Sequence, residues 1–329
     1  MYSLSQKAGW NQTIDDLKLL AAQNPQGNLL GVADIDGVSK PLGSGMVLNV
    51  GESLAWLGMI LVHPEHRRQG IASAIMEQCI EVARLAMDNS IVGLDATPAG
   101  LQVYKNIGFQ KSYKIWRCQL QTEATIQIDT SIEVIRNISM YKYTDMLRDM
   151  NLHTKFIGLS VIQKMHPEGV WVAQAKGKPI GMVLTRPGRI KPFIGPLLAA
   201  SPGAARTLLD HVLKYWKEKG YDEVFMDIPE KHFNSASRWE NEMVCIKPPE
   251  DCILAQGVEA VRCFIRMYEL ISEDNFIRLT ARKSDDTRHV RSIETLEHGR
   301  AAFEATVSYM NQEVETSQYL YAVGGPELS

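Results

Sequence analysis

WLGMILVHPEHRRQGIASAIME, residues 56–77, joins an apolar run to a helical pattern through a basic, glycine-containing loop. Trp56 to Val62 reads as a strand, His63-Pro64 ends it, and an apolar periodicity restarts at Gly70-Ile71. Ile71, Ile75, Cys79, Val82 and Ala86 fall on one stripe, with Glu77, Glu81 and Arg84 elsewhere, so the spacing predicts a helix over 71–87 lying on a sheet. The loop itself has two readings. The first N–H groups of a helix lack internal partners and sit at the positive end of its dipole, and Gly70 lets an anion approach while Arg67 and Arg68 add charge. Equally, R-x-x-G-x-A alone is what a solvated basic loop before a helix looks like.

Working outward, the chain repeats this pattern. Gly45-Met46-Val47-Leu48 recurs 136 residues on as Gly181-Met182-Val183-Leu184. A strand-like run precedes each (Leu29 to Ala33; Val170 to Ala173) and another follows (Trp56 to Val62; Phe193 to Leu198). Each copy then has a helix, the second over about 203–219 with Leu208, Leu209, Val212, Leu213 and Trp216 on one stripe and Gly220 as its stop. A further strand closes each unit, Ile91 to Leu94 and Glu223 to Ile228. The order implies an α/β, mixed α+β protein of two tandem domains, each a mixed twisted sheet flanked by helices. The polar stretch Gln121 to Thr125 marks the boundary, giving domains 1–125 and 126–329. Residues 230–260 and 272–316 fall outside the repeat and read as insertions.

Composition limits the rest. The 329 residues suit about two domains, and a net charge of −3 gives no electrostatic case for nucleic acid or an anionic membrane. No apolar stretch approaches the ~20 residues of a membrane span. The 5 cysteines are odd in number and contain no C-x-x-C, and no histidine pair has ligand spacing, so neither a disulfide framework nor a metal site is expected. With no leader read at the N-terminus, the expected location is the cytoplasm.

A second stretch, Leu94-Asp95-Ala96-Thr97-Pro98-Ala99-Gly100-Leu101-Gln102-Val103-Tyr104-Lys105-Asn106-Ile107-Gly108-Phe109, follows the strand of the first copy. Thr97 with Pro98 predicts a helix start, and Gly108 its end. Tyr104, three residues after Leu101, is as readily a core residue as a functional one.

Together, Arg67-Arg68-Gln69-Gly70-Ile71-Ala72 and Tyr104-Lys105-Asn106-Ile107-Gly108-Phe109 resemble, in order and spacing, the acyl-CoA motif and the later Y-x-x-x-G-F element of the GCN5-related N-acetyltransferase (GNAT) superfamily. Ala8 to Thr13 (AGWNQT), Leu94 to Gly100 and Ala322 to Leu328 are similar to a narrower bacterial group of tandem, YitH-like acetyltransferases. The resemblance implies a sheet split after its fourth strand, with acyl-CoA, expected to be acetyl-CoA, in the split. Ile60, Leu61 and Val62 would meet the pantetheine arm. Arg67, Arg68, Gln69, Gly70, Ile71 and Ala72, with Asn106, would hold the cosubstrate's phosphate end. Tyr104 would protonate the leaving thiolate, an amide near Leu61 would polarise the thioester, and Trp10 and Met59 would line the acceptor pocket. Trp10 is otherwise an ordinary core residue.

This sequence departs from the family at one position. Where many members carry a glutamate base on the fourth strand, this chain has Gly58 between Leu57 and Met59. Asp95 is the substitute candidate, its other reading being a turn aspartate. The strand at the start of the family's fold is also shortened or missing. The second copy has Ala199 to Ala205 (AASPGAA) in place of HPEHRRQGIA and no Y-x-x-x-G-F, so it is expected to be degenerate. The resulting expectation is an N-acyltransferase acting on a small-molecule amine held between the halves, without metal. An acyl-CoA sensor and a protein lysine or N-terminal acetyltransferase are the rivals.

Overall fold

The structure is a computed structural model that describes residues 1–50, 54–86, 91–136 (except 125 and 127), 143, 145, 146, 163, 164, 166–230, 258–269 and 320–322. Two short helices come first, α1 (Tyr2–Lys7) and α2 (Ile14–Gln23). A capping box starts α2: Thr13 Oγ1 accepts from the Asp16 amide at 3.1 Å and Asp16 Oδ2 from the Thr13 amide at 2.7 Å. Then follow β1 (Asn28–Ile35), β2 (Val38–Asn49), β3 (Leu54–Val62), α3 (Ile71–Ala86), β4 (Ile91–Ala96), α4 (Leu101–Asn106) and β5 (Phe109–Gln121). The second half contributes β6 (Glu133–Arg136), β7 (Val170–Ala175), β8 (Lys178–Arg186), β9 (Phe193–Ala199), α5 (Pro202–Glu218) and β10 (Glu223–Pro229). Two later strands, β11 (Val258–Glu269) and β12 (Leu320–Ala322), complete the described chain. No helix among the described residues is long and apolar enough to cross a membrane.

The repeat survives in detail. Each copy opens on a hairpin whose two turn residues have positive φ, Asp36-Gly37 (57° and 74°) and Lys176-Gly177 (51° and 73°). That is the backbone sign a two-residue hairpin needs to follow the right-handed twist of its strands. Gly220, at φ 85°, ends α5 as expected. The apolar face of α3 is displaced slightly from the expected stripe: Ile75, Met76, Cys79, Ile80 and Ala83 are buried while Ile71 and Val82 are only half-buried.

The relation between the halves goes beyond packing. The described strands share one mixed sheet in the order β1-β2-β3-β4-β11-β5-β10-β9-β8-β7-β6, with β12 off this path and paired with β9. β11, from the second half, lies antiparallel between β4 and β5 of the first, and β5 in turn pairs with β10 of the second. Each half has lent a strand to the other, so the sheet runs unbroken across the boundary expected at residue 125.

A buried ion pair fixes each exchange. Asp95 on β4 stands opposite Arg266 on β11, bonded twice at 2.9 Å, and Asp227 on β10 stands opposite Arg117 on β5, bonded twice at 2.7 Å. Both aspartate side chains are fully buried. Such pairs add little over an apolar replacement, but losing one partner strands a buried charge. They therefore specify register.

Cores form on both faces. Tyr104 and Phe109 join the α3 face. On the other, Leu17 and Leu20 of α2 pack with Trp56 and Met59 of β3 and also with Val172, Met182 and Leu184 of the second half, so α1 and α2 lie in a core common to both halves. The expected insertion over 272–316 lies outside the described residues, as does that over 230–260 apart from its ends.

Candidate active site

The parallel pairing of β3 with β4 begins at Leu54–Ile91 and stops at Leu57–Leu94. Past that point, among the described residues, β3 runs on to Val62 alone on this side, leaving a wedge. A bulge drives the divergence: between the pairs Met46–Gly58 and Ser44–Leu61, β3 holds one residue more than β2, and Met59 takes φ 54°. The buried Ser44 hydroxyl donates to the Met59 carbonyl at 2.9 Å and holds the bulge. Such a φ is unusual for a residue with a side chain.

The bulge decides which backbone groups face the wedge. The His63 amide donates to the Leu42 carbonyl at 2.7 Å, and the Leu61 carbonyl lies against Gly43, so residues 61 and 63 address β2. Peptide groups alternate along a strand, which turns Ile60 and Val62 toward the wedge. Of the backbone amides around Leu61, the one turned toward the wedge is accordingly that of Ile60.

After β3, a short turn (Pro64–His66) leads to Arg67 in extended conformation, Arg68 at φ 61° and Gly70 at φ 78°. Gly70 is needed for its φ, since a Cβ there would meet nothing within 4 Å. The first helical bond runs from the Ala74 amide to the Gly70 carbonyl at 3.0 Å, so the amides of Ile71 to Ser73 have no partner one turn back. The first turn of α3 contains no acid. Arg67, Arg68 and Gln69 are exposed, with Arg67 Nε donating to the Val62 carbonyl at 3.4 Å. Amides, helix dipole and the Arg67 guanidinium thus meet at the mouth of the wedge, with Arg68 next in the chain.

Tyr104 lies under α3 and beside Cys79, with its ring tilted against Phe109 at 6.3 Å. A Cβ on Gly100 would lie 2.7 Å from that ring, which explains the glycine. Burial, reinforced by the Cys79 thiol, pushes the Tyr104 hydroxyl up to about 12, and burial pushes Cys79 to about 12 as well. Both stay protonated at neutral pH. No residue among those described hydrogen-bonds the Tyr104 hydroxyl. The expected helix start at Thr97 is displaced: Thr97 closes a turn to Gly100, and α4 begins at Leu101.

The remaining candidates divide. Met59 and Trp10 share the α2-side core, Trp10 half-buried. Asn106 is exposed at the end of α4 and accepts from Gln102 at 2.7 Å. Asp95 has both oxygens on Arg266, whose Nη1 also donates to the Tyr113 hydroxyl at 2.8 Å and whose guanidinium lies 4.7 Å from the Trp56 ring. A carboxylate so engaged is a poor proton acceptor, because taking a proton forfeits the pair. Among the described residues, His63, Glu65 and His66 form one group with metal-ligand atoms within 4.8 Å of one another. Lys7 Nζ is 2.6 Å from His63 Nε2, and His63 Nδ1 lies 3.8 Å from Glu65 Oε2.

Sequence reasoning missed Ser44 and Arg266. Ser44 has no motif around it, and Arg266 belongs to a strand 171 residues from its partner Asp95.

Comparison with known proteins adds the following. Residues 26–111, from just before β1 to the start of β5, match the family model described as an acetyltransferase (GNAT) domain. No curated protein matches the sequence. Among solved structures, a Pyrococcus horikoshii protein assigned as an acetyltransferase is similar at 22% identity and a TM-score of 0.55, over 77% of each chain. A GCN5-related N-acetyltransferase of Sphaerobacter thermophilus is similar at 15% identity and 0.54, over 74% of this chain and 80% of that one. A tandem GNAT protein from the clavulanic acid biosynthesis pathway is similar at 14% and 0.51, over 80% and 91%. Part of the first half thus matches the GNAT domain model, and most of the chain shares its fold with solved proteins that include a tandem arrangement.

Proposed function

We propose that this protein is an acyl-CoA-dependent N-acyltransferase, with acetyl-CoA as donor and a small-molecule amine, bound between the halves, as acceptor. One observation carries the reading: past Leu57 and Leu94, β3 offers a free edge that leads directly to the acid-free, arginine-flanked start of α3. Acyl-CoA has the two matching parts, an amide-bearing arm that can extend a strand edge and a pyrophosphate suited to a helix N-terminus. The resemblance to tandem, YitH-like acetyltransferases agrees with this, and the odd cysteine count fits a reducing, cytoplasmic setting.

Ile60 and Val62 take the pantetheine arm, with Leu61 between them. Arg67, Arg68 and Gln69 and the amides of Gly70, Ile71 and Ala72 take the pyrophosphate, with Asn106 nearest the outside. Acyl-CoA supplies the activated acyl group, and the amine forms the new C–N bond as the C–S bond breaks. The Ile60 amide stabilises charge on the carbonyl oxygen. Tyr104 passes its proton to the departing thiolate, a role its raised pKa keeps open at neutral pH. Trp10 and Met59 wall the acceptor side. With Gly58 in place of a carboxylate and Asp95 engaged, the amine reacts in the neutral form it brings from solution. The proton its nitrogen sheds as the C–N bond forms leaves through water and restores the one Tyr104 gave to the thiolate.

Thiol release from acetyl-CoA with a panel of primary amines tests this. Amine-dependent release with an acylated product is expected. Tight CoA binding without turnover would favour a second reading, an acyl-CoA sensor, which the absent β3 carboxylate supports. Acylation of peptides but not of small amines would move the acceptor to protein.

A further inference from the structure

The AGWNQT stretch has a role that the acyl-CoA chemistry leaves unexplained. Asn11 is 2% exposed and belongs to the loop between α1 and α2, yet its bonds run to the β8–β9 connection of the second half. Its Oδ1 accepts from the amides of Ile190 (2.8 Å) and Lys191 (3.2 Å), and its Nδ2 donates to the Lys191 carbonyl at 2.9 Å. Its own carbonyl accepts from the Arg189 amide at 2.8 Å, and the Trp10 carbonyl from Arg189 Nε at 2.9 Å. On the far side of the loop, Arg186 Nη1 donates at 3.0 Å to Asp16, the acid of the α2 capping box. Five bonds thus grip two consecutive residues, and a sixth holds the helix that follows. The fit is tight, since a Cβ on Gly188 would lie 2.3 Å from both Asn11 Nδ2 and the Lys191 carbonyl.

We infer that Asn11 is a positioning residue through which the 187–192 connection of the second half sets the Gly9–Thr13 loop, and so places Trp10 against the acceptor side of the wedge. Inside the first half the loop is held on either side of Asn11. The Gly9 amide donates to the Gln6 carbonyl and the Trp10 amide to the Ser5 carbonyl (both 3.0 Å), the Gln12 side chain accepts from Ser5 Oγ at 3.3 Å, and Thr13 forms the capping box. The side chain of Asn11, by contrast, bonds only to the second half among the described residues. The second half then controls acceptor selection without touching the acyl donor. This rests on the acyltransferase reading above.

The test uses the full chain with acetyl-CoA and whichever primary amine the unaltered protein acylates best. Asn11→Ala and, separately, Gly188→Ala should each raise the acceptor KM by about tenfold, with kcat and CoA affinity held within about twofold. The double variant should be no worse than the poorer single one, because both changes act on one docking contact. If Asn11→Ala fails to fold, Arg189→Ala, which removes only the bond from its side chain to Trp10, should raise the acceptor KM about threefold. An unchanged acceptor KM in the folded variants would overturn the inference, as would kcat, KM and CoA affinity all deteriorating together. Absence of turnover by the unaltered chain with every amine would instead overturn the acyltransferase reading and this inference with it.

Discussion

Among the described residues the same wedge occurs twice, and only one keeps its edge unpaired. In the first half β3 and β4 part after Leu57–Leu94. In the second, β9 and β10 pair over just Phe193–Phe225 and Ile194–Met226, and β12 then pairs with β9 at Leu197 and Leu198, taking the edge that β3 leaves free. The helix starts differ in the same sense. At α3, Arg67 and Arg68 precede a first turn that holds no acid. At α5, the Ser201 hydroxyl accepts from the Ala204 amide at 3.2 Å, and the Asp129 carboxylate lies 3.8 Å from where a Gly203 Cβ would sit. The second copy satisfies its own helix start and brings a negative charge to it. Duplicated strands therefore preserve a scaffold, while a few loop residues decide whether an anion is welcome.

The contrast can be broken most forcefully at Tyr104, which has no counterpart in the second copy. Tyr104→Phe should lower kcat by about 10²–10⁴ with CoA affinity nearly unchanged; turnover equal to that of the unaltered protein would make it a packing residue. Next come the exchanged strands, where the halves should behave alike. Asp95→Asn and Asp227→Asn each leave a buried guanidinium without its counter-charge and should each cost about 3–5 kcal/mol in denaturant unfolding. Stability equal to the unaltered chain would show that register is held by other contacts. In a folded Asp95→Asn protein the rise of rate with pH should still follow the pKa of the amine, and loss of that limb would restore Asp95 as the base.

A smaller effect separates the two helix starts. Arg67→Ala with Arg68→Ala should weaken CoA binding at least about tenfold, more at low salt. Ser201→Ala should leave CoA binding untouched and cost about 1 kcal/mol of stability as a lost cap. Titration calorimetry should find one CoA per chain, and two would mean the second wedge opens. The smallest effect at neutral pH lies in the core. Cys79 and Tyr104 rise from 9.0 and 10.0 to about 12, so the folded state holds their protons more tightly than the unfolded one. Their contribution is complete below pH 9 and is lost as pH climbs toward 12. Thermal unfolding against pH should show that loss, and Tyr104→Phe should make it shallower.

Much of this was written locally. The loop after β3, the glycine before α3, both hairpins and the stripe of α5 follow from neighbouring residues, since helix starts, turns and amphipathic faces are short-range matters. Asp95 shows where such reading stops. From its neighbours it could equally be a turn residue or a base, and its surroundings were decided by Arg266, 171 residues away.

The sequence by itself determined that the fold is doubled and that one copy alone carries the basic cradle, because periodicity and loop chemistry are properties of adjacent residues. Only the tertiary structure decided that the halves exchange strands, that Asp95 is taken, that Asn11 is gripped from the other half and that β12 takes the edge of the second wedge. Each depends on which distant strand lies alongside, and in a sheet that choice is made by long-range pairing and the burial of whole faces, which no local pattern encodes.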